Sequence, residues 1–186
     1  IDMLDEADVP SADKDIGLLL RQAMDKVAFL PFGLMVDRYR WQLFDGTIPA
    51  DQLNKGWNDL RLEYQGIVPP VERDESGFDA GAKYHIPGNV PYTRYFLARI
   101  LQFQFFKAAC DQAGWEGPLH RCSFYGNEEV GKNLDAMLEM GASKPWPDAL
   151  EAFTGERQMS GTAMVEYFAP LKAWLDEQNA GQTEGW

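Results

Sequence analysis

Histidine and cysteine are scarce in this chain, two of each among 186 residues: His85, His120, Cys110 and Cys122. Zinc sites made from these ligands use close pairs such as H-E-x-x-H or C-x-x-C. Neither pattern occurs, and no metal ligand set can be named within the sequence. The G-x-S-x-G elbow, the phosphate loop and the dinucleotide-binding glycine pattern are missing too. Positive charge is also short, with 17 Lys and Arg against 29 Asp and Glu and a net charge of −12. Nucleic acid and anionic membrane surfaces require clustered cations, so the charge argues against both as partners. No apolar run is long enough to span a membrane. Ile1 to Glu6 is acidic where a secretory leader would be basic, so no leader is expected there. The first residue is not Met, so a processed product or an excised piece is expected.

Apolar residues make up 45% of the chain, and 11 Phe, 7 Tyr and 6 Trp are enough to fill one core. Residues 1–186 therefore read as a single unit, with 1–10 an acidic, frayed end. Ser11 suits an N-cap, and Asp13 and Asp15 suit a first helical turn. Helical periodicity runs from about Asp13 to Phe44, with a break or kink expected at Pro31. A second helix is expected from Pro49 to Tyr64, stopped by Gly66. Residues 67–90 hold Pro69-Pro70, Gly77, Gly81 and Pro87-Gly88, and read as a long irregular loop of the kind that is usually functional. Pro91 to Ala113 reads as a central, buried helix ending at Gly114. Further helices are expected at Glu128–Met140, after Pro145-Trp146-Pro147, and at Thr162–Asn179 with a kink at Pro170. The class is all-α.

The richest constellation lies between Gly81 and Phe96. If 83–85 is extended, Lys83 and His85 share a side. Tyr92 and Tyr95 are three apart and share a helical face. An ammonium, an imidazole and two phenols around one turn suit an anion or carboxylate pocket. The same residues also suit a solvated lysine, a capping histidine and two core tyrosines. Trp57 and Arg61 share a face of the second helix, either as a buried anion site or as a stacked surface pair. Arg94, among aromatics, poses the same choice. Cys110 and Cys122, with eleven residues between them, suit either a disulfide or two buried thiols. His120 reads as structural.

Several stretches together resemble one family. They are Lys26-Val27-Ala28-Phe29-Leu30-Pro31-Phe32-Gly33, Trp57 to Gly66, Phe78 to Pro87, Val90 to Phe96, Gln102-Phe103-Gln104-Phe105, Gly117-Pro118-Leu119-His120 and Pro145-Trp146-Pro147. In order and spacing they resemble angiotensin-converting enzyme-like peptidyl-dipeptidases, from about Asp15 to Trp186.

The resemblance implies a mostly helical zinc metallopeptidase that removes dipeptides from the free C-terminus of a peptide substrate. In that family the zinc ligands, H-E-x-x-H and a later Glu, precede the region matched. This chain then looks like the C-terminal part of the catalytic domain, with the missing N-terminal half as its partner. Alone it would supply neither zinc nor the general base and would be inactive. Lys83 and Tyr92 match the pair that binds the substrate's terminal carboxylate. His85 and Tyr95 match the groups that hold the substrate backbone and stabilise the oxyanion. Trp57 and Arg61 match one chloride site, and Arg94 the other. Cys110 and Cys122 match a family disulfide, which favours an extracytoplasmic location. Phe106-Lys107 stand where animal members carry His-Glu. Arg99 replaces an apolar residue lining the pocket for the last substrate side chain. A different class also fits the scaffold: a non-catalytic peptide-binding or interaction module, which a degenerate zinc motif upstream would mark.

Overall fold

A computed structural model describes Asp5 and residues 8–183. Among the described residues there are eight α-helices and no strand, so the chain is all-α. They are α1 (Asp15–Lys26), α2 (Phe29–Phe44), α3 (Leu53–Gln65), α4 (Thr93–Gln112), α5 (Glu128–Glu139), α6 (Trp146–Thr154), α7 (Thr162–Tyr167) and α8 (Ala169–Gln178). None of the helices searched is long and apolar enough to cross a membrane. Most of the stretch expected to fray, residues 1–10, lies outside the described residues.

The chain divides into two compact units, one formed by Gln22–Ala98 and the other by Arg99–Ala180 with the described residues up to Arg21. In the first unit α2 packs on α3. Met35, Val36 and Tyr39 of α2 meet Trp57 and Leu60 of α3, together with Ile48, Ala80, Ile86 and Tyr92. Gly56 permits the close approach of Ile48: a Cβ there would lie 2.7 Å from the Ile48 side chain.

In the second unit α5 packs on α6, and Val130 and Phe153 bury Ala109 of α4. Phe103 meets Tyr167 edge-on at 5.0 Å between ring centres. A disulfide joins Cys110 to Cys122 across a Cα separation of 6.1 Å. This loop closure contributes roughly 3 kcal/mol in the chain-entropy model. His120, beside it, lies 2.8 Å from Asp15. Arg121 pairs with the same carboxylate, so Asp15 ties the start of α1 to the 119–121 turn. The structural role expected of His120 has this physical form.

Proline placement moves three boundaries. The break expected at Pro31 falls at Val27–Ala28, and Pro31 is the third residue of α2. A proline ring clashes with the carbonyl four residues back, so it is tolerated where no helical turn precedes it. Pro49 opens a turn closed by Gln52 N–H onto its carbonyl, and α3 starts only at Leu53. Near Pro170 the helix is interrupted at Phe168, giving α7 and α8, with the proline in the first turn of α8. The glycine stops occur as expected: Gly66, Gly114, Gly141 and Gly155 all have positive φ at helix ends. The burial expected of α4 is only partial. Phe103, Gln104, Ala109 and Cys110 are buried, while Tyr95 and Leu97 are exposed.

Candidate functional site

The 67–90 segment is held against α3 by polar bonds. Asn54, fully buried, donates to the Asp74 carbonyl and accepts from Asp79 N–H at 2.7 Å. Glu75 accepts from the Asn54 and Lys55 amides, each at 2.8 Å, and so caps the otherwise unpartnered N–H groups that open α3. Arg73 clamps Asp79 with two nitrogens. A 3-10 turn follows over Asp79–Ala82.

Residues 83–90 are not extended but form consecutive turns. Ile86 N–H donates to Lys83, Gly88 N–H to Tyr84 and Val90 N–H to His85. Pro87-Gly88 sets this path. A Cβ on Gly88 would sit 2.8 Å from the Tyr84 carbonyl oxygen, closer than any side chain permits. Asn89 sits at φ 52, a left-handed position that asparagine tolerates. Alternation along a strand thus does not explain why Lys83 and His85 are close; the turns do.

The turns deliver His85 to the start of α4. Its ring is 4.7 Å from that of Tyr92 and 5.4 Å from that of Tyr95, both edge-on. His85 Nε2 lies 3.3 Å from Tyr95 Oη. His85 Nδ1 is buried with no hydrogen-bond partner among the described residues. Burial, and after it the Lys83 ammonium, hold the imidazole pKa below its ordinary 6.5. It is therefore neutral near pH 7. Lys83 Nζ lies 4.6 Å from the Tyr92 ring centre and 5.4 Å from that of Phe32. Tyr92 is buried, whereas Tyr95 is 43% exposed.

The four groups singled out from sequence thus come together within one unit. The candidate chloride residues are less concentrated. Trp57 is buried edge-on against Tyr39 and Phe32. Arg61 is half-buried, and its Nε is buried without a partner among the described residues. Arg61, Lys83 and Trp57 line an open groove of about 680 Å³ whose rim includes Pro70 and Phe78. Arg94 is exposed and has no need of a buried counter-charge.

Sequence reasoning missed Asp37 and Arg40. Asp37 Oδ2 accepts from Tyr92 N–H and Thr93 N–H, each at 2.7 Å, and from the Thr93 hydroxyl at 2.9 Å. Its Oδ1 takes Arg40 Nη1 at 2.6 Å, and Arg40 Nη2 reaches Asn89. Burial pushes the Asp37 carboxyl pKa up, but the bonds from Thr93, Arg40 and Tyr92 outweigh it, and the group lies below its ordinary value. The only available cue was an Asp and an Arg three apart on an apolar helix.

The family profile described as Angiotensin-converting enzyme matches residues 1–186, the whole chain. The chain belongs to that family. It is 49% identical over 176 residues to the angiotensin-converting enzyme of Mesocricetus auratus, covering 94% of this chain and 13% of the relative. The Mus musculus enzyme is likewise 49% identical, over 92% of the chain and 13% of the relative. That of Haematobia irritans exigua is 52% identical, over 87% of the chain and 27% of the relative. The chain therefore spans between an eighth and a little over a quarter of these relatives. No cluster of three or more His, Cys, Asp or Glu side chains that could hold a metal occurs among the described residues.

Proposed function

We propose that this chain is the C-terminal, substrate-binding part of a zinc-dependent peptidyl-dipeptidase that releases dipeptides from peptide C-termini. The observation that carries this reading is the meeting of Lys83, His85, Tyr92 and Tyr95 around one turn, in a chain matched throughout by the angiotensin-converting enzyme family. The Lys83 ammonium and the Tyr92 phenol take the terminal carboxylate, a charge-assisted pairing that selects a free C-terminus. Neutral His85 holds the substrate backbone. The Tyr95 hydroxyl donates to the oxyanion as it forms. Zinc would be held by residues outside this chain, and it would supply Lewis-acid activation of the scissile carbonyl and of water. The general base also lies upstream, so the isolated chain is inactive.

Arg61 fits an anion, since a buried guanidinium nitrogen without a partner favours one. With Trp57 it makes the first chloride site and Arg94 belongs to the second, each completed by upstream residues. The Cys110–Cys122 bond supports an extracytoplasmic location, where disulfides persist.

The deciding experiment is steady-state kinetics on the full-length enzyme with free-acid and C-terminally amidated peptides. Lys83→Ala should raise KM strongly for the free acid and abolish the preference over the amide. A variant that keeps full discrimination against amides removes Lys83 from carboxylate binding.

A further inference from the structure

We propose that Asp37 is a positioning residue for the site: its carboxylate sets where α4 begins and so holds Tyr92 and Tyr95 against His85. The assignment of roles to Tyr92, Tyr95 and His85 rests on the function proposed above; the clamp itself rests on geometry alone. Asp37 lies on α2 and is only 2% exposed. One of its oxygens takes three bonds at the start of α4: the amides of Tyr92 and Thr93 and the Thr93 hydroxyl. These are among the N–H groups that an α-helix leaves without internal partners. A carboxylate is also the group the helix dipole favours at that end.

The other oxygen binds Arg40, and Arg40 holds the Asn89 side chain. Asn89 lies inside the turn that Val90 N–H closes onto the His85 carbonyl, and Tyr92 lies three residues on. Asp37 and Arg40 therefore grip both sides of the short stretch Val90-Pro91 that separates the imidazole from the two phenols. A buried ion pair is costly to form and costly to break. Here it links the 83–90 turns to the start of α4. The Arg40 guanidinium also lies over the Phe44 ring, 5.5 Å from its centre, which adds a third contact to the two of the clamp.

The test is made on the 186-residue chain, by NMR titration of its two histidines and amide exchange. His85 faces Lys83, Asp37 and Arg40, and its pKa records both their charge and the closeness of Tyr92 and Tyr95. Asp37→Asn removes the charge but keeps an oxygen to cap α4. Asp37→Ala removes both. With the clamp in place, loss of negative charge alone lowers the His85 pKa further, so Asn should lower it. Ala should raise it towards 6.5, because His85 gains solvent once α4 shifts. The Tyr92 and Thr93 amides should exchange at least tenfold faster in Ala, and less so in Asn. His120, in the other unit, and the α5 amides should stay unchanged in both variants. Variants that shift His85 in the same direction, or move His120 equally, overturn the proposal. If Ala does not fold, Asn decides: slowed or unchanged exchange at Tyr92 and Thr93 also overturns it, since an amide oxygen is the weaker acceptor. In the full-length enzyme, Ala should cost kcat/KM about 10²-fold, the scale of a misplaced catalytic geometry, and Asn much less. An Ala variant with the NMR signature but normal kcat/KM leaves the clamp standing and refutes the roles given to Tyr92 and Tyr95.

Discussion

Tyr95 Oη and His85 Nε2 lie 3.3 Å apart although ten positions separate them, one residue on a tight turn and the other on the first turn of a helix. Neither segment could hold that distance alone. The turn depends on Gly88, the helix start on Asp37, and both are anchored on α2 and α3. The cluster is a product of how one unit packs, although its four polar side chains are local in sequence.

Gly88→Ala tests the turn. The added Cβ meets the Tyr84 carbonyl oxygen at 2.8 Å, a backbone atom with little room to move. The chain should lose about 1–3 kcal/mol, the usual cost of overpacking, and His85 should separate from Tyr95. Denaturant unfolding reads the first effect, and nuclear Overhauser contacts between the two rings read the second. Unchanged ring contacts would show that the turn has slack elsewhere.

The disulfide should matter to the Arg99–Ala180 unit. Replacing Cys110 and Cys122 together by alanine should cost about 3 kcal/mol by loop entropy, with a further loss because Cys110 is 1% exposed. The expected result is a lower unfolding midpoint with helix content retained. A thiol assay on unfolded, unreduced protein should find no free sulfhydryl.

Acid stability should depend on Asp15. Its hydrogen bond with Arg121, and then that with His120, lower its pKa from 3.8 to about 2. A depressed carboxylate binds fewer protons folded than unfolded, so stability rises with pH through that window. The contribution is complete above pH 3.8 and is lost as pH falls through about 2. Asp15→Asn should flatten this part of the stability curve, measured by chemical unfolding at successive pH values. Equal acid slopes in the two proteins would mean that the Asp15–Arg121 pair does not survive in solution.

Much of the fold was legible because glycine and proline punctuate it. Helix ends at Gly66, Gly114, Gly141 and Gly155 follow from positive φ, which a Cβ disfavours. Helix starts were less legible, since a proline near a start does not say how many residues precede the first turn; Pro31 and Pro49 both show this. The meeting of Lys83, His85, Tyr92 and Tyr95 was legible because the four polar side chains lie close in sequence. The residues that hold them were not. Asp37 and Thr93 are 56 positions apart, and Asn54 and Asp79 are 25 apart. Such contacts have no local period, and a buried aspartate on an apolar helix looks the same whether it caps a distant helix or pairs only with its neighbour.

The hydroxyl of Tyr95 makes the sharpest mechanistic prediction. Tyr95→Phe removes that hydroxyl and leaves the ring to pack against His85 and Tyr92 as before. If the hydroxyl donates to the oxyanion, its bond strengthens as negative charge builds and contributes little to the bound substrate. In the full-length enzyme kcat should then fall by about 10²–10³ while KM changes little. Lys83→Ala acts on a charge present before the reaction begins, so its effect should appear mainly in KM. The two variants should therefore separate cleanly in kinetics on one peptide. If Tyr95→Phe raises KM and spares kcat, the hydroxyl binds the ground state, and oxyanion stabilisation must be assigned to another group.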